Sequence, residues 1–134
     1  MPDDFNAKVI AEFRASGGEV AAFEGAPLLL LTTTGARSGR AHTTPLVYLR
    51  EGGRLFVFGS KAGAPSHPAW YYNLVANPVV TVELGSERFE AEAAVASGDE
   101  RARVFARQAE ARPQFREFQT MTSREIPVIE LLRR

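Results

Sequence analysis

Residues 28–73 read LLLLTTTGARSGRAHTTPLVYLREGGRLFVFGSKAGAPSHPAWYYN. Three apolar runs of strand composition, Leu28–Thr34, Thr44–Arg50 and Arg54–Ser60, are separated by a basic, hydroxyl-rich turn and by Glu51-Gly52-Gly53. The paired glycines accept positive φ, so the second and third runs should form a hairpin. Apolar residues occupy both faces of these runs: Leu46 and Tyr48 alternate with Val47 and Leu49, and Leu55 and Val57 with Phe56 and Phe58. A sheet with one wet face would alternate apolar with polar residues instead. The pattern predicts a small closed barrel, or a sheet covered by helices or by a partner subunit.

Working outward, Phe5, Val9, Ile10 and Phe13 fall at helical spacing until Ser16-Gly17-Gly18 stops them. The helix suits a cap on the core. A peripheral membrane contact is the less favoured reading, because interfacial helices usually carry a basic polar face and this one does not. Glu19–Ala26 is undecided between structures. Pro68 suits the first position of a helix, with Ser66 or His67 near its cap, that Asn77-Pro78 must end. Val79–Leu84 and Arg88–Val95 follow as strands about Gly85-Ser86. Ser97-x-x-Glu100 reads as a capping box for a helix with Ala102, Phe105, Ala106 and Ala109 as its apolar stripe. Pro113 interrupts that helix, Gln114–Met121 resumes as a second short one, and Pro127–Leu132 reads as the last strand. The order is α-βββ-α-ββ-α(α)-β, with six strands and no internal repeat, expected to form one domain over residues 1–134.

Composition narrows the function. The 134 residues carry 16 basic and 16 acidic side chains, so a general nucleic-acid binder, which needs a basic excess, is not expected. No cysteine is present, which removes disulfides and thiolate metal sites. The two histidines, His42 and His67, lack ligand spacing, so no metal is expected. The longest apolar run, Pro27–Leu31, is far too short to span a bilayer, and the first residues lack a signal peptide's pattern. A cytoplasmic protein is the expectation. Neither a P-loop, nor a Rossmann fingerprint, nor a nucleophile elbow occurs.

Two stretches can carry chemistry. Gly35–Thr44 gathers Arg37, Arg40 and His42 with Ser38, Thr43 and Thr44 over Gly35 and Gly39, a mixture suited to an anionic group. A solvated hairpin loop explains the same residues. Phe58–Pro65 offers small residues against which a flat ring can lie, followed by the aromatic and amide side chains of Trp70-Tyr71-Tyr72-Asn73. Core packing by Trp70 and one tyrosine is the competing explanation there. Residues alone say no more than a planar anionic ligand in a barrel groove.

Three segments go further: LLLLTTTGARSGRAHTTPL, GSKAGAPSHPAWYYNLVANP and REIPVIEL. With them the chain resembles the deazaflavin-dependent nitroreductase family of actinobacteria across nearly its full length. The resemblance implies a six-stranded antiparallel split β-barrel related to FMN-binding pyridoxamine-oxidase-like proteins. It implies the reduced 8-hydroxy-5-deazaflavin coenzyme, F-420, in place of FMN. By position, Arg37 and Ser38 would hold the coenzyme's phosphate and oligoglutamate tail, with Gly39 in the same turn and His42, Thr43 and Thr44 in support. Pro45, Leu46 and Val47 would line the groove. The ring would lie along Phe58, Gly59, Ser60 and Lys61 and against Ala69, Trp70, Tyr71, Tyr72 and Asn73.

The implied reaction is hydride transfer to an electron-poor acceptor such as a quinone or an α,β-unsaturated carbonyl compound, with Ser60 as the residue to orient that acceptor. Family members that reduce nitroimidazoles carry substrate-facing tyrosines where this chain has Phe115 and Phe118. Neither phenylalanine has a hydroxyl to give, so nitroaromatic reduction is not the expected activity. An FMN-dependent split-barrel oxidoreductase and a deazaflavin-binding carrier without turnover stay open as alternatives. So does a homodimer, since related split barrels often pair.

Overall fold

The computed structural model describes residues 2–23 and 26–134. Glu24 and Gly25, within the undecided Glu19–Ala26 segment, lie outside the described residues; a single 3-10 turn forms at Ala21–Phe23. The elements are α1 (Pro2–Ser16), β1 (Leu28–Thr34), β2 (Ala41–Glu51), β3 (Arg54–Phe58), α2 (Ala69–Ala76), β4 (Val79–Leu84), β5 (Glu87–Val95), α3 (Gly98–Ala111), α4 (Gln114–Thr120) and β6 (Val128–Arg133). The six strands close into an antiparallel barrel in the order β1-β2-β3-β6-β5-β4, with β4 paired back to β1. This is the expected split barrel with flanking helices.

The doubly apolar strands now have a physical account. Alternate residues such as Leu29, Leu31, Leu55, Val57, Val82 and Ile129 fill the barrel interior, and Trp70 and Leu74 of α2 pack against them. Their neighbours face outward under helices. Leu28 and Leu30 meet Val9 and Phe13 of α1, whereas Phe56 and Phe58 meet Val104 and Phe105 of α3 and Phe115 of α4. Closure and helical cover therefore both apply.

Helix α1 is anchored rather than free. Fully burying a side chain such as Val9 or Phe13 contributes about 1.5–3 kcal/mol. Arg14 adds a bidentate grip, its Nε and Nη2 each donating to Glu83 of β4 at 2.9 Å. That hydrogen bonding holds the Glu83 carboxyl below the usual carboxylate range. No helix among the described residues is long and apolar enough to cross a membrane.

Several local expectations are corrected. β2 starts at Ala41, three residues before the expected Thr44, because Thr32, Thr33 and Thr34 pair with Thr43, His42 and Ala41. The basic turn is correspondingly shorter, and β3 ends at Phe58, before the expected Ser60. Pro68 stands as the N-cap of α2 instead of its first helical residue. Ser97 occupies the α3 N-cap position but forms no side-chain cap bond, and Glu100 instead bonds Arg54 and Arg103. The buried face of α3 is Val104, Phe105, Gln108 and Ala109, while Ala102 and Ala106 are exposed. Val104 has more surface to bury than either alanine, which rotates the helix away from the expected stripe.

Candidate functional site

The β1–β2 connection is built for tightness. Gly35 donates to Arg40 O at 2.7 Å and accepts from Gly39 N at 3.0 Å. A Cβ on Gly35 would lie 2.5 Å from Ser38 Oγ and 3.0 Å from His42 Nε2, so any larger residue would displace those two side chains. Gly39 takes φ +70, the left-handed region that closes the turn. Across from it, Asn73 of α2 accepts from Ala36 N at 3.0 Å and donates to Thr33 Oγ1 at 3.3 Å. One amide thereby fixes the turn to the helix.

Between them lies a cavity of about 610 Å³ lined by Gly35, Ala36, Arg37, Ser38, His42, Thr44, Ala69, Trp70, Tyr72 and Asn73. This is within the usual range for ligand pockets. Eight of those ten lining residues are coenzyme-site residues expected from sequence, Gly35 was read there as part of the same turn, and Ala36 is the addition. The Arg37 side chain is exposed and makes no ion pair or hydrogen bond among the described residues. Nor does any described group accept from the backbone N–H of Arg37 or Ser38. A cation and two unused donors at the rim of a cavity with an aromatic wall fit a ligand with an anionic tail and a flat ring.

Other expected site residues lie elsewhere. Thr43 and Thr44 are successive strand residues and so face opposite ways. Thr43 Oγ1 meets Thr32 Oγ1 at 2.8 Å, Val47 packs under α1, and Leu46 packs with the barrel interior. Gly39, Pro45 and Tyr71 also fall outside the cavity lining.

Phe58, the last residue of β3, and Gly59, Ser60 and Lys61 of the β3–α2 loop make up a second region. Here Gly59 N donates to Pro127 O at 2.9 Å, and a Cβ on Gly59 would sit 2.7 Å from Pro127 Cγ. Lys61 and Ala62 adopt φ 45 and 52, and Gly63 φ 81, giving three left-handed residues in succession. Side chains usually avoid that region, and such strain persists where surroundings over-determine it. The Ser60 hydroxyl makes no hydrogen bond among the described residues.

What fixes this loop is Arg124, a residue that sequence reasoning missed. Its guanidinium donates to Ala64 O at 2.9 Å, Gly59 O at 3.0 Å and Ser60 O at 2.8 Å, and to His67 Nδ1 at 3.0 Å. A guanidinium cannot accept, so Nδ1 must, leaving the His67 proton on Nε2. Burial and, secondarily, the nearby Arg124 charge push the His67 pKa down. The His67 ring packs against Tyr71 and Tyr72, with centroids at 4.6 and 5.7 Å. Arg124 lies in the quoted REIPVIEL segment, but its partners are carbonyls some 60 residues away, which no local pattern displays.

Of the two residues expected on the acceptor side, Phe115 is buried against Phe58 with centroids at 5.7 Å. Phe118 is partly buried and touches Phe115 at 5.4 Å. Among the described residues, no three His, Cys, Asp or Glu side chains group to hold a metal ion.

This geometry coincides with sequence and structural kinship. The family described as F420H(2)-dependent quinone reductase matches residues 6–132. The F420H(2)-dependent quinone reductase Rv1261c of Mycobacterium tuberculosis is 40% identical over 111 residues, covering 81% of this chain and 74% of that protein. A solved F420-H2 dependent reductase, FDR-A, superposes with TM-score 0.72 at 40% identity, covering 78% of this chain and 93% of its own. A second solved structure, described as a domain-swapped dimer, has TM-score 0.73 at 35% identity and covers 98% of this chain and 99% of its own. The chain belongs to the F420H(2)-dependent quinone reductase family.

Proposed function

We propose that this chain, acting as one domain, binds reduced coenzyme F-420 between the β1–β2 turn and α2 and serves its oxidation by a quinone. The observation that carries the reading is the convergence of Arg37, Ser38, His42 and Thr44 with Ala69, Trp70, Tyr72 and Asn73 on one cavity. Arg37, Ser38 and the free N–H groups beside them hold the phosphate and carboxylates of the tail, as guanidinium forks and backbone donors do for anions. Trp70 and Tyr72 supply an apolar wall for the ring. When bound, the reduced deazaflavin supplies the hydride; the protein's part is to orient the reactants and limit water. Ser60, whose hydroxyl makes no hydrogen bond among the described residues, is the residue assigned to orient a carbonyl oxygen of the acceptor. No dedicated acid is assigned, and the reduced acceptor takes its proton from solvent. Phe115 and Phe118 offer no donor for nitro-group reduction.

The test is a binding titration with F-420 and FMN side by side, followed by oxidation of the reduced deazaflavin with a panel of quinones. Preferential F-420 binding with quinone-dependent oxidation is expected. Tighter FMN binding would replace the reading with a flavin oxidoreductase, and binding without turnover would leave a carrier. The neighbour described as a domain-swapped dimer supports a homodimer. Light scattering of the purified chain checks that assembly.

A further inference from the structure

We propose that Arg124 is a positioning residue that holds the β3–α2 loop in its left-handed conformation and so presents two backbone N–H donors to the oxygen-bearing edge of the deazaflavin ring. The inference rests on the coenzyme reading above and deepens it. In a trans peptide the C=O and the following N–H point opposite ways. The carbonyls of Gly59 and Ser60 turn toward Arg124, so the N–H groups of Ser60 and Lys61 turn away from it. Neither finds an acceptor among the described residues. Successive free N–H groups in such a turn form a concavity suited to negatively polarised oxygen. Arg124 makes no ion pair among the described residues, so its charge stands uncompensated behind those donors.

The arginine is itself held. Gln119 Nε2 donates to Arg124 O at 2.7 Å, while Gln119 Oε1 accepts from Arg101 at 2.8 Å and from Ile126 N at 3.0 Å. Arg101 also donates to Ile126 O at 2.7 and 3.0 Å. The segment carrying Arg124 is therefore clamped to α3 and α4. On the loop side, a Cβ on Gly63 would lie 2.8 Å from Met121 Cβ, which leaves the loop no room to relax toward α4. A lysine at 124 would keep the charge but could not fork to three carbonyls.

The experiment measures dissociation constants for two ligands, the full coenzyme and the tail-less 8-hydroxy-5-deazaflavin ring fragment, by fluorescence titration. The wild type is compared with Arg124→Lys and with Arg124→Lys combined with Ala62→Gly, and thermal midpoints are recorded alongside. Losing charge-assisted support of the donors should weaken ring-fragment binding roughly tenfold in Arg124→Lys. Because glycine takes a left-handed φ without penalty, Ala62→Gly should recover part of that loss. A role in general stability alone would lower the thermal midpoint without such recovery. Unchanged ring affinity in Arg124→Lys, or no recovery in the double variant, overturns the inference while leaving wild-type coenzyme binding in place. Absence of F-420 binding by the wild type overturns the coenzyme reading, and this inference with it.

Discussion

The β1–β2 turn, which lines the cavity, and the β3–α2 loop, which leads into α2, use arginine in opposite ways. At the β1–β2 turn, Arg37 is exposed at the cavity rim without a partner among the described residues, and the backbone is shaped by Gly35, Gly39 and the amide of Asn73. At the β3–α2 loop, Arg124 is turned inward and bonded to three carbonyls and His67, so that Lys61 and Ala62 can stay left-handed. The first loop offers charge to a ligand; the second uses charge to hold a shape. A flexible anionic tail needs attraction more than fit, whereas a rigid ring carrying a reactive carbon needs a fixed frame.

Arg37→Ala should break the comparison on the tail side with the largest effect. Removing one charge-assisted partner costs about 1.5–3 kcal/mol, or roughly 10- to 100-fold in affinity for the full coenzyme. The ring fragment, having no tail, should bind the variant as it binds the wild type. Raising the salt concentration should weaken wild-type binding of the full coenzyme, since an exposed ion contact is screened, and the variant should be less sensitive. Titrations of both ligands at two salt concentrations check this. Equal losses for both ligands would mean that Arg37 acts on the ring or on the fold, and the division of labour would fail.

Phe115→Tyr should sharpen the ring side with a smaller effect. A tyrosine there looks like a restored proton donor for nitro compounds, but the side chain is 6% exposed and packs on Phe58 behind the loop. Burying an unpartnered hydroxyl costs roughly 1–3 kcal/mol. The expected outcome is a lower thermal midpoint and no gain in nitroimidazole turnover. Phe118→Tyr, at the partly buried position, should keep the wild-type stability. A marked rise in nitroimidazole turnover for Phe115→Tyr would show that its ring reaches the acceptor.

How much of this was legible in sequence follows from the range of the forces involved. The bounds of β1 and β4 were readable because contiguous leucines and valines end at Gly35 and Gly85. The start of β2 was not, since Ala41, His42 and Thr43 look like turn until their pairing with Thr32–Thr34 is seen. The buried face of α3 was half legible: Phe105 and Ala109 are buried as expected, but Ala102 and Ala106 only mimic the stripe, and Val104 and Gln108 complete the contact. Gly35, Arg37 and Ser38 were visible as one cluster because they are neighbours in the chain. Arg124 was not, because its meaning lies in carbonyls 60 to 65 positions away.

The smallest effect concerns pH and separates the two loops without altering Arg37 or Arg124. His67 accepts from Arg124 only while Nδ1 is unprotonated, and burial first, then the Arg124 charge, hold its pKa below the ordinary 6.5. Besides Arg124, the rings of Tyr71 and Tyr72 face it. Between the lowered folded-state pKa and 6.5 the unfolded chain binds the proton more readily than the folded one. The contribution to stability is thus complete above pH 6.5 and is lost as pH falls toward the folded-state pKa. Protonation also places a second cation against Arg124 and removes one of the bonds that hold the loop. Ring-fragment affinity should therefore fall together with the thermal midpoint as pH drops below 6.5 and through the lowered folded-state pKa. His67→Asn keeps an acceptor for Arg124 but cannot titrate, so the variant should lose both dependences below pH 6.5. If His67→Asn retains the wild-type decline of ring affinity, the acid sensitivity belongs to another group, and the β3–α2 loop does not owe its shape to the Arg124–His67 contact.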